Sequence, residues 1–224
     1  MPNIKVVLFD LDGTLTDPAL GIAKSVAYAL ESFSIHTEDL GGLLKFIGPP
    51  LKDSFMEYYG FSEEQALTGV AKYREYFSDK GIYENKLYPG MKEMLEKLKN
   101  SGLRLILATS KPKIFADVIL EHFDIMKYFE LTCGCELDGT RGKKSEVIRY
   151  AMETAGLSAD STVMVGDRKH DVLGAKEAGI GCIGVLFGYG GYDELREAGA
   201  DVIVATVEEL GEALLGGFGI MRCP

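Results

Sequence analysis

The chain has 224 residues, an ordinary globular composition and a formal net charge of −10. That charge argues against a nucleic-acid polymer or an anionic membrane as partner, and no apolar run reaches the roughly 20 residues a membrane span needs. A small anionic ligand stays open, because a metal, a lysine and helix N-termini can together bind phosphate.

Met1-Pro2-Asn3-Ile4-Lys5 shows no basic-then-apolar leader, so the expectation is a cytoplasmic protein. Ile4 to Phe9 is nearly all apolar and reads as a strand buried on both faces. Asp10 and Asp12 follow, with Gly13 supplying a tight turn. Two acids this close at a strand end repel unless a cation or a shared proton lies between them. The period then becomes helical: Pro18–Ser34, Leu40–Phe46, Leu51–Tyr59 and Ser62–Asp79, the last opened by a Ser62/Gln65 capping box. Ile47-Gly48-Pro49-Pro50 is a stiff turn between the second and third of these. A segment that is helical throughout, from Asp17 to Glu84, in an otherwise alternating chain is the mark of an inserted domain.

From Tyr88-Pro89-Gly90 onward, strand and helix alternate. Met91, Met94, Leu95 and Leu98 share one helical face, closed by Gly102. Strands are expected at Leu103–Ala108, Tyr128–Cys133, Ser161–Val165, Cys182–Phe187 and Asp201–Ala205. Helices are expected at Phe115–Phe123, Ser145–Ala155, Asp171–Ala178 and from the Thr206/Glu209 capping box to Leu215. The expected fold is α/β: a doubly wound, mainly parallel, Rossmann-like sheet from residues 1–16 and 85–224, with residues 17–84 as a small all-helical domain. The apolar tail Gly216–Pro224 follows no pattern.

Three strands end in polar groups they do not themselves need: Asp10, Thr109-Ser110 and Gly166-Asp167. In a parallel sheet these ends share one edge, the edge where such folds bind ligands. The hydroxyls at Thr109 and Ser110 could hold a phosphoryl oxygen, or Ser110 could cap the next helix. Lys143 and Lys144 precede a helix, where a lysine is more often solvated than functional. Asp171 could cap its own helix, and His170, flanked by charges, reads as exposed or orienting rather than as a ligand. Gly188-Tyr189-Gly190-Gly191 lacks the Lys-Ser/Thr of a P-loop and reads as a plain loop. Cys133-Gly-Cys135 has no second pair at zinc spacing, so Cys133, Cys135, Cys182 and Cys223 read as reduced structural thiols.

Asp10-Leu11-Asp12-Gly13-Thr14, Thr109-Ser110-Lys111-Pro112, the Lys144 region and Gly166-Asp167 followed by Asp171 resemble, in order, the four motifs of the haloacid dehalogenase-like hydrolases. With Ile47-Gly48-Pro49-Pro50-Leu51 and Tyr88-Pro89-Gly90, the chain resembles the phosphoglycolate phosphatase branch, closest to proteins described as 5′-nucleotidase-like. The resemblance implies a Mg2+-dependent phosphatase acting on a small phosphorylated metabolite. It assigns Asp10 as nucleophile and Asp12 as general acid and base. Thr109, Ser110 and Lys144 bind the phosphoryl group, with Lys143 as the alternative lysine. Asp10, Asp167 and the Asp12 carbonyl hold the metal, Asp171 supports that shell, and residues 17–84 form a cap in which Lys45 reaches the leaving group. The competing expectations are a phosphoacceptor switch or a slow binding protein that kept the site, and, among enzymes, a sugar-phosphate phosphatase or phosphomutase.

Overall fold

The computed structural model describes residues 4–216. The chain forms two compact units, one from the segments up to Asp17 and from Leu87 onward, the other Pro18–Lys86. The first unit is built on a six-stranded sheet. Its strands are β1 (Val6–Phe9), β4 (Arg104–Pro112), β5 (Leu131–Cys135), β6 (Thr162–Gly166), β7 (Gly181–Val185) and β8 (Val202–Val204). They lie in the order β5-β4-β1-β6-β7-β8, every neighbouring pair parallel. This is the doubly wound α/β fold expected from the sequence. Two two-residue strands, β2 (Thr16–Asp17) and β3 (Lys86–Leu87), lie where the chain leaves and re-enters this unit.

All four residues of β1 are buried, as a strand flanked on both edges and covered on both faces requires. Val6 and Leu8 join the layer formed with Val147, Ile148 and Ala151 of α6 (Lys144–Ala155) and Val172 and Ala175 of α7 (Lys169–Glu177). Phe9, on the alternate face, meets the Phe129 ring edge-on at 6.3 Å. On its two edges, Phe9 lies level with Leu107 of β4 and with Val165 of β6. The residues just beyond these three are therefore brought together at the centre of the sheet's carboxyl edge. Met91, Met94, Leu95 and Leu98 are the buried face of α4 (Met91–Asn100), and Thr206 caps α9 (Val207–Leu214) through the Glu209 N–H.

The second unit holds α1 (Ala19–Glu31), α2 (Leu51–Tyr59) and α3 (Glu63–Tyr76). The Ser62/Gln65 capping box forms in both directions, at 3.2 and 2.9 Å. Leu40–Phe46 is not an α-helix: Gly41–Phe46 is a 3-10 stretch, since Gly41-Gly42 weakens the helix and Pro49-Pro50 bars its continuation. α3 stops at Tyr76 rather than Asp79 and widens into a π turn, Phe77–Gly81, with the Ile82 N–H bonded to the Phe77 carbonyl at 2.7 Å.

In the first unit, β4 runs four residues further than expected, to Pro112, and β5 begins at Leu131, after the 3-10 turn Met126–Tyr128. Helix α5 is Lys113–His122, and α8 (Tyr192–Ala198) was not foreseen because it buries one residue, Leu195, too few to make a period. Among the described residues no helix is long and apolar enough to cross a membrane. Cys133, Cys135 and Cys182 are buried thiols. Cys223 and the tail beyond Gly216 lie outside the described residues.

Candidate active site

Asp10 is fixed at the end of β1 by its own N–H, which donates to the Val165 carbonyl of β6 at 3.0 Å. The chain then turns tightly: the Leu11 carbonyl accepts the N–H groups of Thr14, Leu15 and Thr16 at 3.2, 2.9 and 3.0 Å. Gly13 adopts φ +83°, and a Cβ there would stand 2.2 Å from Asp167 Oδ2, so only glycine serves. The turn thus brings β1 and the end of β6 into contact at the carboxylate level.

Lys144, the first residue of α6, is buried, whereas Lys143 is exposed. The Lys144 ammonium lies 2.7 Å from Asp10 Oδ1 and 2.9 Å from Asp171 Oδ1, and it donates to the Ala108 carbonyl at 3.2 Å. Burial pulls its pKa down, but the charges of Asp10 and Asp171 outweigh it and hold the ammonium protonated. Between the two lysines left open by the sequence, Lys144 is the one that joins the acids.

Asp167 is fully buried, and burial, followed by the charges of Asp171 and Asp10, pushes its pKa up to about 8. It is held by neutral donors: the Tyr189 N–H at 2.8 Å on Oδ2 and, more weakly, the Thr14 hydroxyl at 3.5 Å on Oδ1. Asp171, at the third position of α7, accepts the Arg168 N–H at 3.0 Å, so it does cap its helix while also facing Lys144. Burial raises it to about 6 against the pull of Lys144. Arg168 itself turns to Glu194 at 2.9 Å.

The two acids of the first motif each have a lysine of their own. Asp10 meets Lys144, and Asp12 Oδ2 meets the Lys111 ammonium at 2.5 Å. Burial raises the Asp12 pKa and Lys111 opposes it, leaving the net shift upward.

Thr109 is buried, and its hydroxyl accepts the Lys111 N–H at 3.2 Å. Ser110 is half-buried, and the capping alternative does not hold: α5 is capped at Pro112 with no side-chain bond. His170 is half-buried beside Arg168 and Lys169; burial, then those two charges, lowers its pKa. Lys45 belongs to the helical unit, where its ammonium lies 4.4 Å from the centre of the Tyr58 ring and 5.5 Å from that of Tyr59.

Asp10, Asp167 and Asp171 offer carboxylate oxygens that all lie within 4.8 Å of one another. Asp171 thus lies within reach of the other two acids. Four carboxylates meet two lysines here, an excess of two negative charges when all are ionised. A divalent cation with hard oxygen ligands fits both the donor set and the charge.

Sequence reasoning missed two contributors. Lys111 lies inside the Thr109–Pro112 segment, to which the sequence assigns roles only at Thr109 and Ser110. The Gly188–Gly191 loop lacks the Lys-Ser/Thr of a P-loop, yet its Tyr189 N–H holds Asp167 and the Tyr189 hydroxyl donates to Asp17. A Cβ at Gly188 would stand 2.3 Å from the Gly13 carbonyl oxygen and 2.4 Å from Asp167 Cβ. A glycine-rich segment directly after a strand whose neighbour ends in Gly-Asp was the available signal.

With this geometry in view, comparison with known proteins is informative. The family model described as haloacid dehalogenase-like hydrolase matches residues 7–185. A 5′-nucleotidase of Pseudomonas aeruginosa is 50% identical over 195 residues, covering 87% of this chain and 87% of that protein. Tyrosine-protein kinase PtkA of Mycobacterium tuberculosis is 38% identical over 213 residues, 94% of this chain and 72% of the relative. The crystal structure of a predicted phosphatase from Clostridium acetobutylicum superposes with a TM-score of 0.93 at 51% identity, covering 95% of this chain and 99% of that one.

Proposed function

The chain belongs to the haloacid dehalogenase-like hydrolase family, and from that premise we propose that it is a magnesium-dependent phosphatase for small phosphate monoesters, nucleoside 5′-monophosphates first among them. The observation that carries this reading is the meeting of Asp10, Lys144, Asp167 and Asp171 at one strand edge, with the Asp12–Lys111 pair beside them.

Asp10 attacks phosphorus and becomes an aspartyl phosphate, which splits one hard displacement into two easier ones. Asp12 gives its proton to the leaving oxygen and later takes one from the attacking water; a carboxyl raised by burial is suited to the first task. Lys144, Thr109 and Ser110 receive the phosphoryl oxygens, and Lys144 also keeps the Asp10 carboxylate oriented. Asp10, Asp167 and the Asp12 carbonyl would hold Mg2+, with Asp171 beside them. When bound, the ion neutralises and orients the phosphoryl group.

The Pro18–Lys86 unit acts as a cap in this reading, with Lys45 and the Ile47–Pro50 turn choosing the leaving group. The strand edge itself recognises only a phosphoryl group, so selectivity must come from elsewhere. The similarity to a P. aeruginosa 5′-nucleotidase supports nucleotides. The motif resemblance to the phosphoglycolate phosphatase branch makes phosphoglycolate the competing substrate. Buried cysteine thiols suit a reducing, cytoplasmic setting.

The mycobacterial relative's name favours a second reading, phosphoryl transfer to a protein tyrosine. One assay separates the two. Inorganic phosphate released from an aryl phosphate and from nucleoside monophosphates, dependent on Mg2+ and abolished by chelation and by Asp10→Asn at unchanged melting temperature, supports the phosphatase. Substantial release by well-folded Asp10→Asn contradicts it. Label transferred from ATP to a tyrosine peptide, with no release to water, establishes the kinase reading instead.

A further inference from the structure

The general acid and base needs a geometry as well as a pKa. Asp12 sits on a turn, and a carboxylate on a turn is free to rotate unless something holds it. β4 supplies the hold. Its register against β5 shifts between Ala108 and Pro112, which releases Thr109, Ser110 and Lys111 from a regular ladder. Lys111 uses that release to reach across 99 residues of sequence to Asp12, and its side chain is only 6% exposed. A lysine so enclosed is costly without a close partner, so the pair is not an incidental surface contact.

The two oxygens of Asp12 are also unequal. Oδ2 takes the Lys111 ammonium, while Oδ1 is buried and makes no hydrogen bond. One oxygen is anchored and the other is left for another partner.

We propose that Lys111 is a positioning residue for proton transfer: it anchors Asp12 through Oδ2 so that Oδ1 faces the leaving-group oxygen. This rests on the phosphatase reading. In the first step the bond from an Asp10 carboxylate oxygen to phosphorus forms and the bond from phosphorus to the leaving oxygen breaks. The proton on Asp12 Oδ1 passes to that oxygen, and a neutral alcohol departs. In the second step the oxygen of water bonds to phosphorus, one of its protons returns to Asp12, and the Asp10–phosphorus bond breaks to free phosphate.

The role predicts a dependence on the leaving group that a structural or phosphate-binding lysine does not. An alkoxide such as the 5′ oxygen of a nucleotide needs the proton, whereas 2,4-dinitrophenolate leaves without one. The experiment measures kcat/KM for UMP and for 2,4-dinitrophenyl phosphate in wild type, Lys111→Met and Lys111→Arg, at saturating Mg2+. kcat/KM reports only the first, phosphorylating step, so a slowed second step does not mask the difference. The ratio between the two substrates is also independent of how much of a weakened variant is folded.

Lys111→Met is expected to lower the UMP value at least 30-fold more than the aryl value, and Lys111→Arg to restore most of that difference. Equal losses on both substrates would overturn the proposal, assigning Lys111 to the phosphoryl group or to folding alone. An unchanged ratio with no loss would overturn it as well. Failure of the phosphatase reading is seen separately, as substantial activity of Asp10→Asn on either substrate.

Discussion

The two halves of the carboxylate cluster are held by different means. On the β1 side, Asp10 and Asp12 each face a buried lysine. On the β6 side, Asp167 is held by a backbone N–H and a distant hydroxyl, and its pKa is pushed to about 8. The first half is charge-balanced as the chain folds. In the second, Asp171 shares Lys144 with Asp10 and Asp167 faces no lysine among the described residues, so that side is short of positive charge. A nucleophile and a proton carrier need fixed partners through every turnover. A metal ligand needs its partner to be the metal. The difference between the halves marks Asp167 as the acid that most needs an added cation, one that Asp10 would share in the proposed mechanism.

The sharpest way to break that comparison is to remove acids from the β6 side one at a time. Asp167→Ala is expected to weaken Mg2+ binding more than 100-fold. Asp171→Ala, whose carboxylate also serves Lys144 and the Arg168 N–H, is expected to cost about 10–100-fold, as a supporting group does. Calorimetric titration of both variants measures the two losses. A larger loss for Asp171 would exchange their roles.

Acidity sharpens the same contrast. A carboxyl raised in the folded state contributes stability that is present below its unfolded value and is lost as pH climbs through the folded one. For Asp167 that window runs from about 4 to about 8. Mg2+ competes with those protons. The rise in melting temperature caused by Mg2+ should therefore be small at pH 5 and largest near pH 8, where an ion at 100 times its Kd adds about 2.7 kcal/mol. Thermal melts with and without Mg2+ across that range measure it. A gain independent of pH would show that the ion does not sit at these acids.

The approach of the glycine loop to Asp167 gives a third test. Gly188→Ala pushes a methyl group against Asp167 Cβ and the Gly13 carbonyl and should cost about 1–3 kcal/mol of stability, with a matching fall in metal affinity. Melting temperatures and calorimetry detect both. An unaffected metal site would mean that the loop merely passes by.

The smallest effect belongs to the helical unit. Lys45→Ala should change the order of preference between a nucleoside monophosphate and phosphoglycolate while leaving an aryl phosphate within about tenfold, near 1.4 kcal/mol in barrier. The contact with Tyr58 also sets a minimum structural role for this lysine. kcat/KM for the three substrates gives the answer, and a uniform loss across all three would remove Lys45 from selectivity.

How much of this was legible beforehand follows from where the physics is local. Asp10, Thr109 and Asp167 stood out because each ends a strand too apolar to need them, and parallel pairing then brings such ends together without further information. Lys144 follows from the family resemblance, with Lys143 as the alternative, since whether Lys143 or Lys144 turns inward depends on the helix phase. Lys111 was hidden, because its partner lies 99 residues away and its position depends on an irregularity in β4 that no periodicity announces. α8 was missed for lack of a second buried residue. The glycine loop is visible in the sequence, but its role is to approach Asp167 through a backbone N–H, which no side-chain motif marks.

The central claim is that Asp10 carries the phosphoryl group. Acid-quenching the enzyme during turnover of an aryl phosphate, reducing with borohydride and sequencing the peptides by mass spectrometry tests it directly. An acyl phosphate is reduced to the alcohol, so the account predicts homoserine at position 10 and unmodified aspartate at positions 12, 167 and 171. Homoserine at another of these positions, or none at all while phosphate is released at the full rate, would contradict it.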